Sequence, residues 1–252
     1  MAKKNLVHLM GIVEKVLCPD PLIFMVKTEK SFQHYSYPIV TLDENANPAI
    51  MEGEIKEGRV VVINGRLRTE REENTFECPC CGKPIQNSYL NTFVTADNIR
   101  VVGRMKGDRN LFMNRCVLLG ALCREINFRY INGSVHDNQQ LPAIGNAKFQ
   151  MAVNRRIPNE TDYPYVSSYA RQAEEDYKRI DIGSQVLVDG VLVTRANTKI
   201  ATCPECGEEI EITETLTEVS AQTVEYLNNC YFEEVGKKNN PNIIEDSKPA
   251  IE

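Results

Sequence analysis

The sequence predicts a mainly all-β protein built as two tandem, five-stranded, partly open barrels. Three observations carry that prediction: an internal duplication, apolar segments that alternate at the period of a strand, and a cysteine pair at the same point of each copy. Gly58-x6-Gly65-x12-Cys78-x2-Cys81-Gly82 returns as Gly183-x6-Gly190-x12-Cys203-x2-Cys206-Gly207, every spacing equal, at an offset of 125 residues. The match runs on without a gap, Ile85, Val94, Ala96 and Ile99 meeting Ile210, Val219, Ala221 and Val224. Upstream the offset is 109, where Asn5-Leu-Val-His-Leu-Met-Gly11 meets Asn114-Arg-Cys-Val-Leu-Leu-Gly120. The second copy therefore carries 16 extra residues between its first strand and its Gly-x6-Gly segment.

The duplication sets the domain boundaries. Residues 1–103 form one domain and residues 114–232 the other, joined by a polar, glycine-bearing linker over 104–113. The tail, residues 233–252, is rich in Asn, Lys and Glu and is expected to be disordered or loosely attached.

Within each copy the elements are strand-like. Residues 6–13 and 116–122 are apolar, weighted to Val and Leu, and end in turn-capable residues, as first strands do. Residues 149–153, 60–67 and 186–193 alternate at period two, the last two around a central glycine that marks a bulge or bend. One helix is expected, over residues 168–178, where Tyr169, Gln172, Ala173 and Tyr177 fall at helical spacing. Three strands, a helix, then two strands with a long excursion before the fifth describe the OB-fold. Each barrel then carries a Cys-Pro-x-Cys-Gly hairpin between strands four and five.

Composition narrows the class of function. At 252 residues, 42% apolar and 25% charged, the chain is ordinary globular material, which excludes fibrous and wholly disordered proteins. Its longest apolar run, residues 116–123, is far short of the roughly 18 residues that a membrane-spanning helix requires. The apolar start is interrupted by His8 and closed by Glu14-Lys15 with no small-residue cleavage site, so the expectation is a cytoplasmic protein. A net charge of −6 excludes a uniformly basic coat for nucleic acid but leaves room for a local basic groove. The charges are in fact segregated: residues 200–236 hold nine carboxylates and no Lys or Arg, whereas residues 114–156 hold six Lys/Arg against Glu125 and Asp137. The acidic stretch reads as a solubilising face that turns nucleic acid away or meets a basic partner.

Nine cysteines without a secretion signal favour metal or thiol chemistry over a disulfide framework. In Cys-Pro-x-Cys-Gly two thiolates converge from a tight turn, and the glycine lets the backbone fold beneath them. One knuckle supplies two ligands and a closed structural zinc site takes four, so Cys78, Cys81, Cys203 and Cys206 together fit one zinc per chain. The knuckles could pair within one chain, making it a pseudo-dimeric monomer, or between chains, making a homodimer. A redox-active pair is the rival reading, without the strand-helix context such pairs occupy. Cys80 has Glu205 as its repeat counterpart and is left unliganded, and Cys18, Cys116, Cys123 and Cys230 read as buried thiols. There is no phosphate-binding glycine loop and no His-x-x-x-His, so no catalysis is expected.

The second copy resembles the bacterial and phage single-stranded DNA-binding protein (SSB) family. The resemblance is carried by Asn114-Arg-Cys-Val-Leu-Leu-Gly-Ala-Leu122, Phe128-Arg-Tyr130, Asn146-Ala-Lys-Phe-Gln-Met-Ala-Val-Asn-Arg155, Ala173-Glu174, Gly183-Ser-Gln-Val-Leu-Val-Asp-Gly-Val-Leu192 and Thr194-Arg195. These span nearly the whole copy in family order, and the first copy is tied to them through the repeat. The resemblance implies sequence-tolerant, non-catalytic binding of single-stranded DNA in replication, recombination or repair. The family commonly stacks bases on tryptophan, which this chain lacks; Tyr163 and Tyr169 fall where family aromatics sit, while other such places hold Ile157 and Asn197. The acidic tail with a Pro-Phe tip through which the family recruits replication and recombination proteins is absent, which suits a phage or mobile-element version with its own partners.

Sequence-tolerant binding of single strands needs rings on which bases stack and cations along the phosphates. The second copy offers Tyr163, Tyr165 and Tyr169 as rings and Arg115, Arg124, Arg129, Lys148, Arg155, Arg156, Arg171 and Arg195 as cations. The first offers Tyr35 and Tyr37 with Arg66, Arg68, Arg71, Arg100 and Arg104. Two other functions fit the same features: a zinc-stapled adaptor of a replication or conjugation complex with little affinity for DNA, and a binder of single-stranded RNA.

Overall fold

A computed structural model of the chain describes residues 4–31, 33–43, 55–104, 112–131, 135–136, 139–140, 142–155 and 160–231. Most of the expected linker, Arg156, Ile157 and the tail from residue 233 lie outside the described residues, as does the side chain of Arg104. The chain divides into two compact units, one of Leu6–Arg115 with Leu192–Glu218, the other containing Cys116–Val191 and the chain from Val219 onward. The distal part of the second copy's hairpin thus groups with the first copy.

The first copy comprises β1 (Lys4–Pro19), β2 (Leu22–Ser31), β3 (His34–Ser36), β4 (Ile39–Leu42), β5 (Arg59–Glu77) and β6 (Pro84–Arg104). Strand neighbours run β1-β5-β6-β4-β2, and β1 also pairs with β2, so five strands close on themselves. β4 runs parallel to β6 and the other pairings are antiparallel. Alternate residues point inward: Val7, Leu9, Phe24, Val26, Val40, Ile63, Leu67 and Val94 are fully buried, each contributing about 1.5–3 kcal/mol by leaving water.

The second copy comprises β7 (Met113–Leu122), β8 (Asn127–Ile131), β9 (Val135–His136), β10 (Gln139–Gln140), β11 (Ile144–Asn154), β12 (Thr161–Asp162), β13 (Tyr165–Tyr169), α1 (Ala170–Arg179), β14 (Gln185–Thr202) and β15 (Glu209–Asn228). Its barrel repeats the same circuit, β7-β14-β15-β13-β11 with β11 returning to β7, and β13 parallel to β15. Leu118, Phe149, Met151, Val166, Val186, Val188 and Val219 fill it. Both copies therefore have the five-stranded OB topology that the strand order predicted.

The repeat holds at the level of single hydrogen bonds. Val26 N donates to Pro38 O at 3.1 Å, and Met151 N to Pro164 O at 3.1 Å. Gly58 N donates to Val13 O at 2.8 Å and Gly183 N to Leu122 O at 2.9 Å. The second glycine of the repeated motif has a steric reason: a Cβ on Gly65 would press on the carbonyl of Thr95, and one on Gly190 on the carbonyl of Ser220. The extra residues of the second copy lie between its first two barrel strands. There β1 turns straight into β2, whereas β7 is followed by β8, β9 and β10 before β11.

The helix begins later than the sequence predicts. Ser168 and Tyr169 complete β13, paired with Ala147 and Asn146, and the Asn146 side chain donates to Ser168 O at 3.1 Å. Ala170, at φ 51, then breaks the strand direction and starts α1. Tyr169 consequently shares a strand face with Tyr165 instead of a helix face with Tyr177.

Candidate metal centre and nucleic-acid interface

The β5–β6 hairpin is paired from Arg59 and Arg104 to Glu77 and Pro84, with register shifts after Val60 and after Asn64, and its tip is the first knuckle. There Cys78 N donates to Lys83 O at 2.8 Å and Gly82 N to Cys78 O at 2.9 Å. The second knuckle, at the end of β14, repeats the pattern, Cys203 N to Glu208 O at 2.8 Å and Gly207 N to Cys203 O at 3.0 Å. Gly82 and Gly207 sit at φ 68 and 77, in the left-handed region that glycine occupies without strain.

These two loops bring four sulfurs together. The Sγ atoms of Cys78, Cys81, Cys203 and Cys206 all lie within 4.8 Å of one another. Cys78 Sγ is 3.5 Å from Cys206 Sγ, and Cys81 Sγ is 3.7 Å from Cys203 Sγ. A tetrahedral zinc with Zn–S bonds of about 2.3 Å has sulfur-to-sulfur edges of about 3.8 Å, so the donor set and its size fit a closed structural zinc site. The four cysteines come from one chain. Backbone N–H groups of Cys206 and then Glu205 point at the Cys203 sulfur and pull its thiol down to about 7, whereas at Cys81 and Cys206 one backbone hydrogen bond each is outweighed by desolvation and the neighbouring sulfurs, which hold those thiols above the usual range.

Among the described residues, the tips have few other contacts. Cys78, Ile85 and Cys203 form a small buried cluster with Ala201 and Ile210 against it. Nearer the barrel, buried Glu214 accepts from Asn87 Nδ2 and pairs with Lys199 Nζ at 3.0 Å. Cys80 is exposed. Of the scattered cysteines only Cys116 is fully buried; Cys18, Cys123 and Cys230 are half-buried and donate to Asp20 O, Gln150 O and Gln185 O. The expectation of four buried thiols is corrected to one, because the other three sit at strand ends, where a carbonyl stays within reach.

The second barrel carries a polar outer face. β11 is flanked by β8 on one edge and β13 on the other: Asn146 opposes both Arg129 and Tyr169, Lys148 opposes Asn127 and Ser167, and Gln150 opposes Tyr165. Directly opposed residues project to the same side, so Arg129, Lys148, Tyr165 and Tyr169 share one face while Ala147, Phe149 and Met151 fill the core. Lys148 Nζ stands 4.9 Å from the Tyr165 ring centroid. Tyr163 is exposed beside this face, its carbonyl accepting from Gln150 Nε2 at 2.9 Å. In the first barrel Tyr35 lies opposite Glu29, with Lys27 Nζ 4.4 Å from its ring centroid. Lys27 was not among the residues predicted from sequence; only the strand register reveals it. Tyr37 is half-buried, and its N–H donates to Thr194 Oγ1 at 2.8 Å.

Three of the predicted cations are spent on carboxylates. Arg155 makes a two-pronged pair with Asp162, at 3.0 and 2.9 Å, and reaches Glu160 at 2.7 Å, tying the end of β11 to β12. Arg66 bridges Asp43 and Asp97, and Arg195 pairs with Glu218 at 2.8 Å. Arg71, Arg100, Arg115, Arg124, Arg129 and Arg171 are exposed, and Arg68 is half-buried on β5.

No family model and no curated protein matches this sequence. Solved structures do. The wild-type single-stranded DNA binding protein from Thermus aquaticus superposes with a TM-score of 0.57 at 19% identity, covering 90% of this chain and 94% of that chain. A deletion variant of the Thermus aquaticus protein gives 0.59 at 20% identity, covering 90% and 96%. The chain has the SSB-type OB fold. Because the superposition spans 90% of the chain, the SSB-type fold extends over both repeats. Among the described residues, no helix is long and apolar enough to cross a membrane.

Proposed function

We propose that this chain binds single-stranded DNA, as the solved structures of like fold are named for doing, and that it does so without sequence preference and without catalysis. The observation that carries the reading is the outer face of β8, β11 and β13, where Arg129, Lys148, Tyr165 and Tyr169 project together. Rings take bases on their faces and cations take phosphates, and neither reads sequence. Tyr163 and the Lys27–Tyr35 pair extend the same chemistry. The exposed Arg115, Arg124, Arg171, Arg71 and Arg100 are further phosphate partners, and Arg155, Arg66 and Arg195 act instead to tie strands through their carboxylate partners.

The domains are the repeats, residues 1–103 and 114–232, and one structural zinc is held per chain by Cys78, Cys81, Cys203 and Cys206. The setting is DNA replication, recombination or repair in the cytoplasm, as part of a phage or mobile element. The test is titration with oligothymidine at several salt concentrations, followed by tyrosine emission because the chain has no tryptophan. Quenching that saturates and weakens with salt by about 0.7 log units per phosphate contact is expected. A flat titration at low salt overturns the reading.

A further inference from the structure

Within the cysteine cluster two close sulfur-to-sulfur approaches cross from one hairpin to the other. Cys78 approaches Cys206 at 3.5 Å and Cys81 approaches Cys203 at 3.7 Å. Each of these pairs joins a buried sulfur, Cys78 or Cys203, to an exposed one, Cys206 or Cys81. An oxidant in solvent therefore meets the exposed member, and a second thiol already stands behind it. The sulfurs need to close by only about 1.5 Å to reach the S–S bond length of about 2.05 Å.

We infer that the cluster is a site of oxidation by hydroperoxides, at which zinc release accompanies two hairpin-to-hairpin disulfides, Cys78 with Cys206 and Cys81 with Cys203. The inference rests on the zinc reading above. The exposed thiolate of Cys206 attacks the peroxide oxygen, the O–O bond breaks, and a sulfenic acid forms as an alcohol, or water from hydrogen peroxide, departs with a proton. The Cys78 thiolate then attacks the sulfenic sulfur, the S–S bond forms, and hydroxide leaves and is protonated to water. Two electrons pass from sulfur to one hydroperoxide, and two protons are taken from solvent. Cys81 and Cys203 repeat the sequence with a second hydroperoxide, and zinc, stripped of its thiolates, leaves as the hydrated ion.

This pairing differs in consequence from closure of each Cys-x-x-Cys on itself. After closure within each knuckle and loss of the metal, what joins the hairpins near the tips, among the described residues, is the small cluster of Cys78, Ile85 and Cys203 with Ala201 and Ile210, and the Asn87–Glu214 hydrogen bond. Cross-pairing keeps them joined after metal loss. The tip is then a latch with two locked forms, one metallic and one covalent.

The test uses the full chain carrying Cys80→Ser, purified with its metal and treated with a few equivalents of hydrogen peroxide. Zinc is followed with a chromogenic chelator, and disulfides by peptide mass after trypsin without reductant. Release of one zinc per chain is expected, with the peptide of Cys78 and Cys81 joined to that of Cys203 and Cys206, fragmentation giving the two cross-pairs, and dithiothreitol reversing both. A second variant, Cys81→Ser with Cys203→Ser, keeps one cross-pair and should still join the two peptides. Peptides closed within themselves, sulfinic acid without disulfide, or zinc retained under peroxide overturn the inference and leave the zinc reading standing. A protein purified from zinc-replete cells with no zinc overturns both.

Discussion

Lys148 and Tyr165 meet across β11 and β13 on the outer face of the second barrel, the ammonium 4.9 Å from the ring centroid. The first barrel has the same pairing chemistry in Lys27 and Tyr35 at 4.4 Å, yet at positions that are not equivalent. At the repeat offset of 125, Lys27 matches Ala152 and Lys148 matches Ile23. A cation on a tyrosine ring thus occurs in both copies by different residues.

The ring and the cation on that face should be separable in a DNA titration. Tyr165→Ala removes a stacking surface and should weaken oligothymidine binding by about 1–3 kcal/mol while leaving the salt slope unchanged. Lys148→Ala should flatten the slope by about one phosphate contact. A Tyr165→Ala variant with unaltered affinity would place base stacking elsewhere.

How much of this was legible before the fold was known follows from what each feature depends on. The duplication is written in linear spacing, so sequence sufficed for it; ligand number marked Cys78, Cys81, Cys203 and Cys206 as one set but left open whether they meet within one chain, as the fold has them do. Helix and strand compete over residues 168 and 169, where helical spacing of Tyr169 and Tyr177 was overridden by pairing with Asn146 across the sheet. The face itself needs register: Lys27 was invisible because its ring lies on another strand, and Arg155 looked available because Asp162 and Glu160 meet it only once β12 pairs with β11. Charges read along a chain do not reveal which are already paired across it.

Chelation should act first on the knuckles. The amides of Cys78, Gly82, Cys203 and Gly207 are hydrogen-bonded within the two loops, beside a very small apolar cluster. Removing zinc should speed their hydrogen exchange by roughly a hundredfold or more, with barrel amides such as Met151 little changed. Equal protection with and without chelator would show that the loops hold without metal.

Asp176 gives the second barrel a pH signature. It is buried on α1, accepting from Gln172 and Tyr226 at 2.8 Å, and burial raises its carboxyl above the usual range. A raised value favours the protonated acid in the fold, a contribution complete below about pH 3.9 and lost as pH rises through the folded value. Asp176→Asn carries no such loss, so its stability relative to the parent should improve from pH 3 toward neutrality, as read from urea midpoints. A difference that narrows as pH rises would contradict this.

The two glycines of the repeated Gly-x6-Gly segment predict different penalties for the same substitution. Gly58 and Gly183 lie at φ 79 and 88 with nothing within 4 Å of an added Cβ, so alanine there meets only backbone strain, about 1–2 kcal/mol. Gly65 and Gly190 lie inside β5 and β14 with a neighbouring carbonyl where the Cβ would go, and backbone cannot step aside as a side chain can. Gly65→Ala and Gly190→Ala must spread two paired strands of a closed barrel, for about 3 kcal/mol or more. Urea unfolding of the four variants should order both interior glycines below both turn glycines. Equal losses at 58 and 65 would mean that the barrel yields locally and that the close approach is not what fixes glycine there.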